Sequence, residues 1–150
     1  PAAVLPAKPE SAVAGLPRVL VVDDVDLNLM VARAMLGSLG TSVVSANGGG
    51  AALKLIDSEK FSLILMDCHM PEIDGYEVTR QARTGQSPNR NTPIVALSAS
   101  AFAEDRQRAL DSGMNDFAPK PIELNGLGLV LEKWIPGFVA AKLKATKIIG

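Results

Sequence analysis

Short apolar runs alternate with longer helix-type segments along most of this chain. The runs are residues 19–22, 41–46, 61–66, 94–97 and 115–118. They lack the regular apolar–polar alternation of a strand that has one solvent-exposed face. This lack of alternation favours strands that are buried on both faces. Buried strands that alternate with helices are typical of an α/β fold with a parallel sheet. The pattern therefore predicts five parallel strands that are connected by helices.

Helical spacing of apolar residues fills the intervals between these runs. We expect helices at about 26–39, 50–58, 101–112 and 123–135, and one more that ends near Arg83. Gly40 and Gly113 follow two of these segments and fit C-terminal helix stops. Gly126 and Gly128 each weaken the last helix by roughly 1 kcal/mol relative to alanine, so packing must stabilise it.

The chain divides into three parts by composition. Its 150 residues are enough for one domain with a substantial core, which we expect at residues 18–135. Residues 1–17 are rich in proline and alanine and are typical of a semi-extended linker that follows an upstream domain. Residues 136–150 carry three lysines among apolar residues, and we expect a C-terminal extension or a remnant of expression in preference to a functional element.

Composition excludes several classes of function. The net charge of −1 gives no reason to expect binding to nucleic acid or to an anionic membrane surface. No apolar run approaches the ~20 residues of a membrane span. The single cysteine, Cys68, excludes an internal disulfide and fits a reducing compartment. We therefore expect a cytoplasmic domain that contacts neither nucleic acid nor membrane.

Polar residues follow four of the apolar runs, at the point where each strand is expected to end. They are Asp23, Asp24, Asp67, Ser98 and Lys120. In an open parallel sheet, ligands bind in the crevice at the carboxyl ends of the strands, so we expect these side chains to meet there. Three carboxylates, a hydroxyl and an ammonium can hold a divalent cation and, beside it, a phosphoryl group.

Each acidic residue also has a simpler explanation when it is considered alone. Asp23 and Asp24 fit a solvated turn or a helix cap, and Asp67 fits a cap of the turn after its strand. Their placement directly after apolar runs favours a Mg²⁺ site, because Mg²⁺ prefers oxygen ligands in octahedral geometry. Neighbouring carboxylates repel one another strongly unless a cation is bound. A carboxylate can also act as a nucleophile and form an aspartyl phosphate.

The residues around Lys120 and Asp67 allow three narrower expectations. Pro119 and Pro121 stiffen the backbone that presents Lys120. An X–Pro bond in a tight turn beside a site is a candidate for the cis form, and we predict a cis Lys120–Pro121 peptide. His69 fits a loop residue better than a catalyst, and we expect Cys68 to point away from Asp67 into packing.

Four segments together resemble the response-regulator receiver domain of two-component signalling. They are Val21 to Asp24, Met66 to Gly75, Ala96 to Ala99, and Lys120-Pro121. The resemblance covers about residues 18–135, with agreement in order, spacing and flanking apolar runs. The two middle segments are most similar to receivers of hybrid sensor histidine kinases, and the upstream linker fits that origin. The resemblance implies a flavodoxin-like, doubly wound (βα)5 fold with a five-stranded parallel sheet of order 2-1-3-4-5.

The resemblance also implies a role for each acidic residue. The domain would take a phosphoryl group from phosphohistidine and assist its own phosphorylation, with Asp67 as the acceptor. Asp24 and Asp67 would bind Mg²⁺ directly and Asp23 through water, and the backbone carbonyl of His69 would complete the protein ligands. The expected partners are a histidine kinase domain or a histidine phosphotransfer protein. The parent chain would be a hybrid histidine kinase, which can be membrane-anchored.

Further roles that the resemblance implies concern the switch and the phosphate lifetime. Ser98 would hydrogen-bond the phosphoryl oxygens, and Lys120 would pair with the acceptor before transfer and with the phosphoryl group after it. Phe117 matches the aromatic switch of the family, which turns inward when Ser98 moves. Val25 replaces an Asn that is frequent in hybrid-kinase receivers, and His69 occupies a position that tunes the phosphate lifetime.

The first helix has a second apolar row. The residues expected to face the sheet are Val31, Ala32, Met35, Leu36 and Leu39. That assignment leaves Leu27, Met30 and Ala34 on the outside, with Leu29 and Arg33 beside them. An outward apolar row can mark a partner surface, or it can pack against the linker or the tail. Histidine phosphotransfer domains dock near this helix in the family, which implies that the row contacts such a four-helix partner.

Two other functions are alternatives to a phosphoacceptor. Phosphatases of the haloacid-dehalogenase type also combine a nucleophilic Asp with a Ser or Thr, a Lys and an acidic pair. Their usual motif is Asp-x-Asp on the first strand, whereas here the acidic pair comes first and His69 stands two residues after Asp67. A structural, receiver-like adaptor is the third possibility. It would be expected to have lost one of the five polar groups, and none is lost here.

Overall fold

The computed structural model describes residues 15–99 and 103–138, and within them five strands alternate with five helices. The strands are β1 (Arg18–Asp23), β2 (Ser42–Asn47), β3 (Leu63–Asp67), β4 (Ile94–Ser98) and β5 (Asp116–Pro119). The helices are α1 (Asp26–Ser38), α2 (Gly49–Ser58), α3 (Gly75–Thr84), α4 (Ala103–Ser112) and α5 (Leu124–Trp134). None of these helices is long and apolar enough to cross a membrane.

The observed elements lie close to their predicted positions. The bounds that were predicted differ from the observed ones by at most two residues. The first two residues of the predicted fourth helix, at 101–102, lie outside the described residues. The same holds for most of the predicted linker, at 1–14, and of the predicted C-terminal extension, at 139–150.

All neighbouring strands are parallel, and their order is β2-β1-β3-β4-β5. The predicted doubly wound order of the sheet is therefore confirmed. The order places β1 beside β3 in the middle of the sheet, with Val22 opposite Met66. The next residues along these two strands are Asp23 and Asp67. The reversal of strand order at β1 and β3 thus forms the crevice in which such sheets bind ligands.

Two hydrophobic cores cover the two faces of the sheet. Because successive strand residues point to opposite faces, Leu20 and Val22 pack with α2, α3 and α4, and Val19 and Val21 pack with α1 and α5. The strands β3 and β4 are buried throughout, as predicted. The edge strands β2 and β5 are partly exposed, so the prediction of burial on both faces is wrong for them. An edge strand has a neighbour on one side only.

The inward face of α1 differs from the prediction at two positions. Leu29 is buried at 6% exposure, whereas Val31, which was expected to face the sheet, is 43% exposed. Leu29, Ala32 and Leu36 recur at helical spacing and pack into the core shared with α5. The buried stripe is therefore rotated from the expected one, and Val31 joins the outward face.

The outward face of α1 is apolar, as expected. Leu27 is 63% exposed and Met30 is 65% exposed. Ala34, one helical turn from Met30, is exposed as well. These three residues, which we call the α1 row, therefore form an apolar surface that the described part of the chain does not cover.

The first turn of α5 contains an exposed glycine, and we expect its replacement to stabilise the domain. A Cβ at Gly126 would have no neighbour within 4 Å. Gly126→Ala should raise the free energy of unfolding by roughly 0.5 kcal/mol, because alanine restricts the unfolded chain and favours helix. Urea denaturation measures the effect. Gly75→Ala is the contrasting variant and should destabilise, since its Cβ would overlap the main-chain carbonyl of Asp67. An unchanged or lower value for Gly126→Ala would contradict this reading of α5.

Candidate functional site

Three carboxylates and one ammonium meet at the carboxyl edge of the sheet. Asp23 ends β1, Asp24 follows it, and Asp67 ends β3. One carboxylate oxygen from each of the three lies within 4.8 Å of the other two. The Nζ atom of Lys120, just after β5, lies 3.1 Å from Oδ2 of Asp23 and 3.2 Å from Oδ1 of Asp67. The sheet order thus brings together four of the five polar groups that were picked out in the sequence.

Main-chain and side-chain donors fix the two buried carboxylates. The N–H of Val25 donates to Oδ1 of Asp23 over 2.9 Å, and Nδ2 of Asn28 donates to Oδ2 over 3.2 Å. The N–H of His69 donates to Oδ1 of Asp67 over 3.2 Å. Asn28 was missed in the sequence analysis, because an amide in the first turn of a helix is usually a surface residue. Its spacing from the acidic pair is the signal that could have identified it.

Burial and charge act against each other at this site. Asp23 and Asp67 are each 3% exposed, whereas Asp24 is half-buried. Burial raises the pKa of Asp67, and the Lys120 ammonium and the His69 N–H lower it without cancelling that effect. Burial also disfavours the charged form of Lys120, but the carboxylates of Asp67 and Asp23 outweigh it and raise the Lys120 pKa. One ammonium therefore does not neutralise the site, which can accept a further cation.

The donor set of the site suits a hard divalent cation. Its three converging groups are all carboxylates. Mg²⁺ binds oxygen ligands, usually through one or two carboxylates, and keeps several of its waters. The half-buried Asp24 leaves one side of the cluster open to solvent. The residues present therefore fit Mg²⁺ better than a metal that requires thiolate or imidazole ligands.

Ser98 and Phe117 lie on the two strands beside the cluster. Ser98 ends β4, is buried, and accepts a hydrogen bond at its main-chain oxygen from the N–H of Lys120 over 2.9 Å. The Lys120–Pro121 peptide is cis, which confirms the prediction. Phe117 on β5 is half-buried against the core of α2, α3 and α4. The guanidinium carbon of Arg106 lies 5.5 Å from the centre of the Phe117 ring.

Cys68 and His69, the two residues that follow Asp67, lie in different environments. Cys68 is fully buried in the core, as expected. Burial raises the pKa of its thiol to about 11, so the thiolate needed for nucleophilic chemistry is scarce at neutral pH. The His69 side chain is exposed, and its ring lies edge-on to Tyr76 with 6.0 Å between the ring centres. His69 contacts the acidic cluster through its main chain.

Comparison with known proteins agrees with this geometry. A family model of the response regulator receiver domain matches residues 19–132. The chain belongs to the response-regulator receiver family. The resemblance seen in the motifs of this receiver is thereby confirmed, together with the fold that it implied.

Sensor proteins contain similar receivers. Over 120 residues, the chain is 41% identical to the sensor protein GacS of Pseudomonas syringae pv. syringae, a match that covers 79% of the chain and 13% of GacS. It is 34% identical over 116 residues to the aerobic respiration control sensor protein ArcB of Escherichia coli K12, which covers 77% of the chain and 15% of ArcB. The chain therefore spans a small part of the length of these relatives.

Solved receiver structures superpose well on this one. The receiver domain of the sensor histidine kinase PA1611 from Pseudomonas aeruginosa is 38% identical, with a TM-score of 0.73 over 80% of this chain and 98% of that domain. That structure contains a magnesium ion coordinated in the active-site cleft. The chemotaxis protein CheY4 of Vibrio cholerae is 29% identical, with a TM-score of 0.74 over 81% of this chain and all of CheY4.

The raised pKa of Asp67 predicts how its charge affects stability without metal. A group with a raised folded pKa contributes stability that is present below its unfolded pKa and is lost as pH rises through its folded pKa. At neutral pH, Asp67→Asn should therefore raise the thermal unfolding midpoint in EDTA, by a few degrees. Asp57→Asn removes an exposed carboxylate of α2 and should change the midpoint little. A lower midpoint for Asp67→Asn would show that its ion pair with Lys120 outweighs its burial.

Proposed function

We propose that this receiver accepts a phosphoryl group from phosphohistidine onto Asp67 with the help of Mg²⁺. The position of Lys120 Nζ, 3.2 Å from Asp67 and 3.1 Å from Asp23, carries the proposal. Asp24 adds a third carboxylate within 4.8 Å. A nucleophilic carboxylate, an acidic pair and a fixed positive charge are the groups that phosphoryl transfer to aspartate requires.

The proposed chemistry is a single displacement at phosphorus. A carboxylate oxygen of Asp67 attacks the phosphorus atom while the bond from phosphorus to the imidazole nitrogen of the donor breaks. That nitrogen keeps the electron pair and takes up a proton, and Asp67 becomes an acyl phosphate. Because the transition state spreads charge over three equatorial oxygens, catalysis depends on positioning and charge neutralisation.

Different neighbouring residues are assigned to hold Mg²⁺ and to contact the transferred phosphoryl group. Asp24 and Asp67 are assigned as direct ligands of Mg²⁺, Asp23 as a ligand through water, and the His69 carbonyl as the last protein ligand. Bound Mg²⁺ supplies positive charge that lets an anionic donor approach a carboxylate cluster. Lys120 then forms a charge-assisted hydrogen bond with the transferred group. The magnesium ion in the active-site cleft of the 38% identical PA1611 receiver supports Mg²⁺ as the metal of this site.

The response to phosphorylation is assigned to Ser98 and Phe117. A phosphoryl group adds charge and acceptor oxygens beside the ends of β3 and β4, and such changes move neighbouring donors. Ser98 is the hydroxyl that turns toward the phosphoryl oxygens, and Phe117 on the adjacent strand follows. Ser98 and Phe117 lie on neighbouring strands, where Ser98 pairs with Pro119 and Ala96 pairs with Phe117. This arrangement supports a coupled movement of Ser98 and Phe117.

The relatives support an assignment of the phosphodonor and of the parent protein. GacS and ArcB are sensor proteins several times longer than this chain, which matches 13% and 15% of them. We therefore assign the chain to the receiver part of a hybrid sensor histidine kinase. Its proposed partners are the histidine kinase domain or a histidine phosphotransfer protein.

The α1 row is the proposed docking surface for a four-helix phosphotransfer partner. The row adjoins a cleft of about 470 Å³, and the lining of this cleft includes Asp23, Leu27, Val31 and Lys120. The cleft therefore continues from the exposed apolar residues of α1 to the acidic cluster. A helix that covers the row can present a phosphohistidine at the edge of the sheet, where Asp67 lies.

Phosphorylation by a small donor tests the proposed chemistry. Incubation with Mg²⁺ and acetyl phosphate, followed by intact-protein mass spectrometry, should add one phosphoryl group to the wild type. Asp67→Asn should remove this adduct and Asp57→Asn should leave it, because Asp57 is exposed on α2. Chelation of Mg²⁺ should slow the reaction by at least about 100-fold.

The outcomes of this experiment separate the three candidate functions. Continuous hydrolysis of the donor without a trapped adduct would favour a phosphatase. An adduct that persists in Asp67→Asn would contradict the assignment of the acceptor. No adduct from either acetyl phosphate or a phosphorylated histidine kinase domain would favour a structural adaptor.

Charged substitutions test the docking surface. Leu27→Glu and Met30→Glu should slow transfer from a phosphorylated histidine phosphotransfer protein by about tenfold, because each places a charge in an apolar contact. The rate with acetyl phosphate and the unfolding midpoint should not change. Leu129→Glu is the matched control, since Leu129 is 64% exposed on α5 and Leu27 is 63% exposed. Equal transfer rates in all three variants and the wild type would rule out this surface.

A further inference from the structure

The first residue of α2 lies against the loop that connects β3 to α3. A Cβ built on Gly49 would lie 2.6 Å from the carbonyl oxygen of Ile73, 2.9 Å from the Ile73 Cβ and 3.1 Å from Cγ2 of Val78. Real Cβ atoms essentially never approach heavy atoms closer than 3.0 Å. Because the nearest atom belongs to the main chain, a side chain at position 49 would have to displace the loop. The absence of a side chain at Gly49 therefore permits this contact.

The three consecutive glycines at this point have different structural roles. Gly48 has a φ of 109°, which residues with a side chain rarely adopt. Gly50 is exposed, and a Cβ there would have no neighbour within 4 Å. Among the three, Gly49 alone is buried and in close contact with the site loop. Turn geometry therefore explains Gly48 but not Gly49.

The residue that Gly49 contacts follows a strained position. Glu72 has a φ of 68°, in the left-handed region that disfavours side chains. The N–H of Ile73 donates to the carbonyl of Pro71 over 2.8 Å, so Glu72 is the central residue of a tight three-residue turn of the rarer, strained type. Strained backbone of this kind persists where the surrounding structure holds it. The main chain of α2 at Gly49 is part of that surrounding structure.

The other end of the same loop forms part of the acidic site. The loop leaves β3 at Asp67, and the N–H of His69 donates to Oδ1 of Asp67. The N–H of Gly75 donates to the carbonyl of Cys68 over 3.1 Å and closes the loop at its base. A displacement at Ile73 therefore acts on a short, closed loop that includes the main chain of His69.

We propose that Gly49 is a positioning residue for the phosphoacceptor site. By letting the main chain of α2 approach Ile73, Gly49 sets the position of the loop at residues 68–74 and, through it, the main chain of His69 beside Asp67. Gly49 acts through the loop and touches none of the reacting atoms. This inference rests on the proposed function, because it concerns the same Mg²⁺ and phosphoryl site.

Gly49→Ala and Gly50→Ala form a matched pair that tests the proposal. Gly49→Ala should shift the amide NMR signals of the loop at residues 68–74, all of which except Pro71 carry an amide proton, in the metal-free protein. It should weaken Mg²⁺ binding, measured by calorimetry, on the order of tenfold, as loss of outer-shell support does at metal sites. It should also slow phosphorylation by acetyl phosphate. Gly50→Ala should match the wild type in all three measurements and raise the unfolding midpoint, because it adds alanine at an open helix position.

A second variant perturbs the contact from the side of the loop. Ile73 is half-buried and packs against the core of α2, α3 and α4. Ile73→Ala should weaken Mg²⁺ binding in the same direction, and it keeps the proposal testable if Gly49→Ala does not fold. All variants are measured well below their unfolding midpoints, so that a lost affinity reports on the site and not on unfolding.

The measurements distinguish failure of this inference from failure of the proposed function. Wild-type loop signals and wild-type Mg²⁺ affinity in Gly49→Ala, or unchanged affinity in Ile73→Ala, would overturn the role of Gly49. If the wild type itself bound no Mg²⁺ and accepted no phosphoryl group, the proposed function would fail. The loop signals of Gly49→Ala would still show whether Gly49 positions the loop.

Discussion

Repulsion among three carboxylates at one edge of the sheet is the constraint on which the rest of the structure depends. Asp23 and Asp67 are almost fully buried, and oxygens of both lie within 4.8 Å of an oxygen of Asp24. Buried like charges are unfavourable unless positive charge accompanies them. Lys120 supplies one such charge from the end of β5, and the open side at Asp24 admits another. The same imbalance that disfavours the metal-free site suits it to a cation and, in the proposed function, to a phosphoryl group.

The fold places this unfavourable cluster on a rigid support. The reversal of strand order puts β1 and β3 side by side, so the acids that end them meet without any special loop conformation. Two apolar cores hold the sheet from both faces, so the strand ends are fixed. The side chains of the site lie at these strand ends and in the short loops that follow them. The loop after β3 is held further by α2, through the contact of Gly49 with Ile73. The proposed binding and switching take place at this edge, away from the core.

Most of the fold and of the site could be predicted because local pattern and tertiary position coincide here. Apolar runs that end in Asp23, Asp67 and Ser98 mark both the buried strands and the edge where they meet. The inward face of α1 could not be derived in full, because Leu29 and Val31 are both apolar and spacing alone does not rank them. The contact of Gly49 with Ile73 depends on how closely α2 approaches a loop that is distant in sequence. No local sequence pattern indicates such a contact.

A crystal structure with Mg²⁺ and beryllium trifluoride, a mimic of the phosphoryl group, tests the central claim most directly. We expect beryllium on a carboxylate oxygen of Asp67 and Mg²⁺ in contact with Asp24. We also expect Lys120 to leave its position between Asp23 and Asp67 and contact a fluorine atom, and the Ser98 hydroxyl to contact another. Beryllium trifluoride bound away from Asp67, or Lys120 still held between the two carboxylates, would contradict the account.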